Sequence, residues 1–494
     1  MTADKYILDR RIACDRALPT CTQCRHSNRA CKGYGVRLSW PRANDAKRAV
    51  VSRAPRRVAT LESPKASTFQ VNASSGDIEM HRYLLGSLSN EYTQVALKAP
   101  VSFSYVMYND TDGQLIDYFE HTASKCLAIL GHDPQELGRI LLRMALSSSS
   151  PAATAVRNAI LALSSLHRRR MQGQGFEFKI AAIKALGEAS KICILGTEIF
   201  HVAAGMLLCS IEIHEASCTS GQWRFYITGV KKIIEASYLS QYRYGRGRDI
   251  DSDVSTLLDW VHYHDALARF SSLHWNREPH NNCFPAQLCT EIGKTPTSIY
   301  KILPVNEIVN PSSTASLVTT MLKLLEYGCE ALSPRNQAMK NSAYTIETLA
   351  QLIKPLPFSP TSDPILELFY HAIFVYLNRA SNGALEESSV TDRRITQSLN
   401  NFPITTSCPR QFPLFVLGCE AKSDSKRCIV LDAFERTEKS HDSRSVFLSR
   451  EFVKRVWVQD DLALSEAPSG IDGVGYSEKL SAVLGGCGIL PPFV

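Results

Sequence analysis

Val156-Arg-Asn-Ala-Ile160-Leu-Ala-Leu163-Ser-Ser-Leu166-His167 sets apolar side chains at positions 156, 159–160, 163 and 166. That spacing returns every three to four residues, the period of one face of an α-helix. The pattern continues outward in both directions. Upstream, Leu115-Ile116, Tyr118-Phe119, Leu127 and Leu130 predict a helix over 113–130, with Asp112 placed to cap it. Downstream, 176–194, 199–218, 222–239, 252–274, 314–331, 336–354, 363–381 and 445–464 read as further helices. Ser362 or Asp363 ahead of Pro364 is a start signal, because proline suits the first helical turn. Turn residues at 276–313 and 355–363 separate groups of helices. Alternating strand patterns are rare, and no fixed repeat is visible. The chain therefore reads as mainly α, with a large all-α domain over 112–494.

With 494 residues there is room for two or three domains, and 44% hydrophobic with 21% charged residues is ordinary for a globular protein. The net charge of +7 is unevenly placed: residues 1–60 hold 14 Lys plus Arg against 4 Asp plus Glu, a local +10, which leaves −3 for the rest. A basic tip on a near-neutral body is the pattern of a nucleic-acid-binding arm, with a solvated basic tail as the plain alternative. Residues 41–111 read as a basic, disordered linker. Lys47, Arg48, Arg53, Arg56 and Arg57 stand there among Ala, Ser and Pro, suited to nuclear import, to phosphate contacts or to neither. Within this stretch Ile78, Met80, Tyr83, Leu84 and Leu88 give two helical turns, too few for a zipper.

Cys14, Cys21, Cys24 and Cys31 form C-x6-C-x2-C-x6-C, with arginines between them. Zinc takes four soft ligands in a tetrahedron, and a loop this small needs the metal to fold. Arginine beside such ligands suits phosphate and guanine. The other eleven cysteines, Cys126 to Cys487, are scattered singly in apolar contexts, as buried reduced thiols are. There is no apolar signal segment and no run of about 18 apolar residues, so neither secretion nor a membrane span is expected. The compartment implied is cytosol or nucleus.

The run from Asp9-Arg10-Arg11 through Cys14, Pro19, Cys21 and Cys24 to Cys31-Lys32-Gly33 resembles a fungal Zn2Cys6 binuclear-cluster domain. That family holds two Zn2+ ions with six cysteines, C-x2-C-x6-C-x5-12-C-x2-C-x6-8-C. The last four fit. The first two should stand at positions 4 and 7, which hold Asp4 and Ile7. Family-like sequence starts abruptly at Asp9. The expectation is that genomic DNA upstream of the Asp9 codon encodes the missing C-x2-C; a truncated variant is the alternative. In the family, the fourth to sixth cysteines hold one ion together with the absent first. Cys14 could complete a single site with Cys21, Cys24 and Cys31, or all four remain free thiols. The resemblance implies an incomplete DNA-binding domain over 1–40 that reads CGG-type triplets in double-stranded DNA. The base-reading position, three before the third cysteine, is Arg11, preceded by Arg10. Arg16, Arg25, Arg29 and Lys32 would meet phosphate. A lysine frequent at position 13 is replaced by Ala13.

The helical body resembles the fungal-specific transcription-factor domain found C-terminal to such clusters. The stretches are Leu115-Ile-Asp-Tyr-Phe119, Ile160–His167, Trp223-Arg-Phe-Tyr-Ile-Thr-Gly229, Trp260–Phe270, Phe369–Arg379, Pro413–Ala421 and Val456-Trp457. The resemblance implies a nuclear transcription regulator of RNA polymerase II genes. Its partners would be DNA, transcriptional co-regulators and a second copy of itself, with no membrane. A helical regulator that has lost DNA binding and acts through protein partners is the rival reading. Enzyme motifs are missing: there is no P-loop, no G-x-S-x-G and no H-E-x-x-H. His262-x-His264-Asp265 has the wrong spacing for a metal on one helix face, so these are expected to be satisfied or exposed helix residues. His167-Arg-Arg-Arg170 at a helix end suits the macrodipole, or else a second nucleic-acid contact. Trp223, Tyr226, Trp260, Tyr263 and Phe270 are expected in the core, or around a ligand pocket.

Overall fold

A computed structural model describes residues 73–85, 112–127, 129–169, 172–192, 196–214, 221–237, 239, 252–275, 314–333, 345–402, 411–441, 444–466, 475–486 and 490–494, and near the N-terminus 6, 7, 12, 13, 25 and 26. The chain forms two compact units, 1–68 and 69–494. In the first, Tyr6–Ile7 (β1) pairs antiparallel with Ile12–Ala13 (β2), Tyr6 opposite Ala13 and Ile7 opposite Ile12.

The second unit is built of helices. In chain order they are α1 (Ser75–Leu84), α2 (Asp112–His121), α3 (Pro134–Leu146), α4 (Pro151–Arg169), α5 (Gln172–Ala189), α6 (Glu198–His214), α7 (Trp223–Ala236) and α8 (Ser252–His274). Then come α9 (Thr314–Ala331), α10 (Ile346–Ile353), α11 (Pro364–Ala380), α12 (Ser388–Asn401), α13 (Gln411–Cys419), α14 (Asp424–His441), α15 (Arg444–Glu466) and α16 (Tyr476–Gly485). The mainly α expectation holds.

Local chemistry sets several boundaries. Asp363 caps α11, its carboxylate accepting from the Ile365 and Leu366 amides, with Pro364 in the first turn. Asp133 and Pro134 start α3 in the same way. The helix expected over 113–130 instead stops at His121. A 3-10 turn, Ala123–Cys126, follows, and Gly131 at φ +80° swings the chain toward α3. The helix expected from 336 is described only from Ile346, capped by Thr345.

Helix α1 falls inside the span read as linker, yet it belongs to the folded body. Ser74 and Asp77 cap it reciprocally, Met80 and Leu84 are buried, and the Asp77 carbonyl accepts from Gln459 Nε2 of α15 at 2.9 Å. Two apolar turns on ten capped residues suffice once a neighbouring surface buries them.

Two apolar clusters fill the body. One gathers Phe119, Leu141, Ile160, Leu207, Leu257, Trp260 and Val261; the other Tyr263, Leu267, Phe270, Leu325, Phe369, Phe412 and Val453. α8 serves both, changing allegiance between Val261 and Tyr263. Phe270 anchors the second cluster, its ring 4.8 Å from Tyr376, 5.0 Å from Phe412 and 5.3 Å from Phe493, each edge-on. α6 is buried without a break from Val202 to Ile213, as a helix apolar on all sides must be.

Candidate functional site

Of the sequence-derived site residues only Arg25 is described: it and His26 form an exposed helical pair. Cys14, Cys21, Cys24, Cys31, Arg10, Arg11, Arg16, Arg29 and Lys32 lie outside the described residues. Among those described, no group of three or more His, Cys, Asp or Glu could hold a metal ion. Four of the five described scattered cysteines are as expected: Cys126, Cys209, Cys329 and Cys419 are buried free thiols, and burial pushes Cys126 up to about 12. Cys428 departs from the expectation, being exposed on the polar helix α14.

A charged layer lies where α7, α8 and α9 meet. Lys231 of α7 donates from Nζ to both carboxylate oxygens of Asp265 on α8, each at 2.8 Å. Arg269, one turn on, reaches the same carboxylate from Nε at 3.3 Å and donates from Nη1 to Glu330 of α9 at 2.9 Å. Its Nε also lies 3.5 Å from Glu326, and His262 Nε2 lies 3.4 Å from the other Glu326 oxygen. Lys231, Asp265, His262 and Glu326 are all buried. Burial lowers the Lys231 pKa while Asp265 pulls it back up. Burial would lower Arg269 as well, but Asp265, Glu326 and Glu330 together raise it. Every cation here faces a carboxylate, so the layer acts as a clamp among three helices.

That geometry resolves the H-x-H-D motif. Asp265 is taken by Lys231, His264 Nδ1 meets the Trp260 carbonyl at 2.9 Å, and His262 faces Glu326. All three are buried core residues, and the Lys231 partner of Asp265, 34 residues away, was not foreseeable from spacing on one helix. The expected core aromatics are placed likewise: Trp223, Trp260, Tyr263 and Phe270 are buried, and Tyr226 packs against both clusters. At the end of α4, His167 Nδ1 lies 2.9 Å from the Tyr118 hydroxyl and Arg168 covers the Tyr118 ring at 5.5 Å. The basic run thus engages α2 there, beside an open cleft of about 440 Å³ lined by Gly113, Gln114, Asp117, Tyr118 and Arg168. No described helix is long and apolar enough to cross a membrane.

Comparison with known proteins adds what the body alone does not carry. The fungal specific transcription factor domain family matches residues 114–472. The chain belongs to that family. It is also 37% identical, over 393 residues, to "Transcription factor iacI" of Pestalotiopsis fici, covering 78% of this chain and 95% of that protein. No solved structure matches. Family and relative are transcription factors, not enzymes, and the function they give this chain is regulation of transcription. The fungal specific transcription factor domain, as matched, runs from α2 to just past α15. α1 and α16 flank the match and pack on each other and on α15, so the folded body extends beyond it at both ends.

Proposed function

We propose that this chain is a zinc-dependent, sequence-specific DNA-binding regulator of RNA polymerase II genes that works in the nucleus, with the all-α body governing what the N-terminal element does. The observation that carries the reading is the conjunction of a fungal specific transcription factor domain over 114–472 with a basic, four-cysteine segment ahead of it. The donor set fits one Zn2+: four thiolates, Cys14, Cys21, Cys24 and Cys31, satisfy tetrahedral zinc, and do not suffice for a two-ion cluster of six. Bound zinc would supply folding energy to the arm. Arg11, with Arg10 beside it, would donate two hydrogen bonds to guanine O6 and N7 of a CGG-type triplet. Arg16, Arg25, Arg29 and Lys32 would neutralise phosphates; the exposure of Arg25 is compatible with that role.

Zinc stoichiometry and a mobility shift on CGG-containing and scrambled duplexes test this together. The four cysteines as they stand should hold at most one zinc and bind specific DNA poorly; with the family's missing C-x2-C pair supplied ahead of Asp9, the reading expects a preference for CGG sites. Arg11→Ala should flatten that preference by roughly 1–3 kcal/mol, and Arg56→Ala should weaken both duplexes alike. A second reading rests on Asp4 and Ile7 standing where the family has cysteines: a helical regulator without DNA specificity, acting through co-regulator proteins. A chain supplied with that pair that still binds every duplex weakly and with strong salt sensitivity would select it.

A further inference from the structure

Helix α5 packs on α4 through small residues, Gly175, Ala182, Ala185 and Ala189, all buried. Its opposite face is apolar and open: Phe176 is 39% exposed, Ile180 52% and Ile183 45%. Gly187 continues the stripe, exposed, with no described atom within 4 Å of where a Cβ would stand. The steps of four, three and four residues are those of a coiled-coil seam, and they recur nowhere else among the described large exposed apolar side chains. A glycine inside a helix weakens it by roughly 1 kcal/mol relative to alanine, and no described residue packs against 187.

We propose that this face binds the same face of a second copy of the chain, α5 against α5 in antiparallel register. Size and charge on the helix select that occupant. With Ile180 of one copy layered on Ile183 of the other, Phe176 falls opposite Gly187, so the largest side chain of the seam meets the position with none. The same register brings Glu177 beside Lys184 of the second copy, twice by symmetry; both residues are exposed at the seam's outer edge. A parallel pair would instead set Lys179 beside Lys184 of the second copy. Lys179 is already committed, its ammonium held by Glu212 at 2.6 Å and lying 5.6 Å from the Phe176 ring centroid. The seam is three turns long, short against the about 1,200 Å² that stable specific interfaces bury, so the association is reversible at micromolar concentration. It is independent of zinc and of DNA.

Sedimentation of the full chain across a concentration series, without DNA, tests the proposal. Wild type should pass from monomer to dimer, and Ile180→Glu with Ile183→Glu should stay monomeric while keeping its circular dichroism. Glu177→Lys and Lys184→Glu should each weaken the dimer about fivefold, because each turns both attractive pairs into like-charge pairs. The double exchange, Glu177→Lys with Lys184→Glu, should restore wild-type affinity, which a merely structural role for either residue would not produce. A wild type that remains monomeric at high micromolar concentration overturns the proposal, whether the stripe is bare or covered by another segment or partner. A dimer that survives Ile180→Glu, or is not restored by the double exchange, overturns the surface and register.

Discussion

Replacing Asp265 by asparagine keeps the size of the side chain and removes its charge, which makes the clamp between α7, α8 and α9 measurable. Lys231 is 2% exposed and places its ammonium on both Asp265 oxygens at 2.8 Å. Breaking a buried pair by removing one partner destabilises by about 3–5 kcal/mol, since the remaining charge is left in a poorly solvating interior. The asparagine carbonyl can still accept one hydrogen bond, worth about 1 kcal/mol. Asp265→Asn should therefore lose about 2–4 kcal/mol in equilibrium urea unfolding of the full chain, followed by circular dichroism. The loss should shrink as pH rises. Burial already depresses the folded pKa of Lys231, so the folded state sheds this proton more readily than the unfolded chain and gains relative stability toward alkaline pH. The double variant Lys231→Met with Asp265→Leu should return to within about 1 kcal/mol of wild type, because an apolar pair needs no desolvation of charge. A single variant within about 1 kcal/mol of wild type at neutral pH, or a double variant as unstable as the single, would refute the assignment of the layer as a clamp.

Burial holds His274 near about 4, and burial with the Arg394 charge does the same for His371, against 6.5 when unfolded. Both folded values lie below the unfolded one. Their contribution is thus complete above about pH 7.5 and lost as pH falls from 6.5 toward 4, about 2 kcal/mol per ring by pH 5; urea midpoints at pH 7.5 and 5 for wild type and His371→Gln check it, the variant showing the smaller drop. Phe270→Ala removes the ring that Tyr376, Phe412 and Phe493 surround, and should lower stability by about 3–5 kcal/mol in guanidinium unfolding. Gly328→Ala would drive a methyl into Leu377 of α11, which is fully buried, and should lower the melting temperature by an amount corresponding to about 1–3 kcal/mol.

The helices legible in the sequence were those that bury one face or start with a strong cap. α4, α8, α9, α11 and α15 fall within a few residues of their expected ranges. α13 escaped periodicity because all of Gln411 to Cys419 is buried, which leaves no polar face to mark a period. α14 escaped for the opposite reason: Asp424, Lys426, Arg427, Glu435 and Lys439 make it largely polar, and it is held on α15 by the Arg427–Asp461 pair at 2.7 and 2.8 Å. α3 was legible and overlooked, since Asp133-Pro134 is the same start signal as Asp363-Pro364. The charged layer could not be read ahead. Lys231, Asp265 and Glu326 lie far apart in the chain, and only tertiary packing makes them neighbours.

α8 is about 34 Å long at 1.5 Å per residue, and its two ends are embedded in different apolar clusters. A single rigid rod shared in this way denies the clusters separate lives. Melting either one strips packing from the rod that the other depends on, so the body should unfold in one calorimetric transition, not two. The same sharing works in the native state. A shift of packing around Trp260 cannot be absorbed locally, because the rod carries it to Phe270 and on to the aromatic ring cluster beyond. α6 and α7 also place buried residues in both clusters, so three helices tie one half of the body to the other.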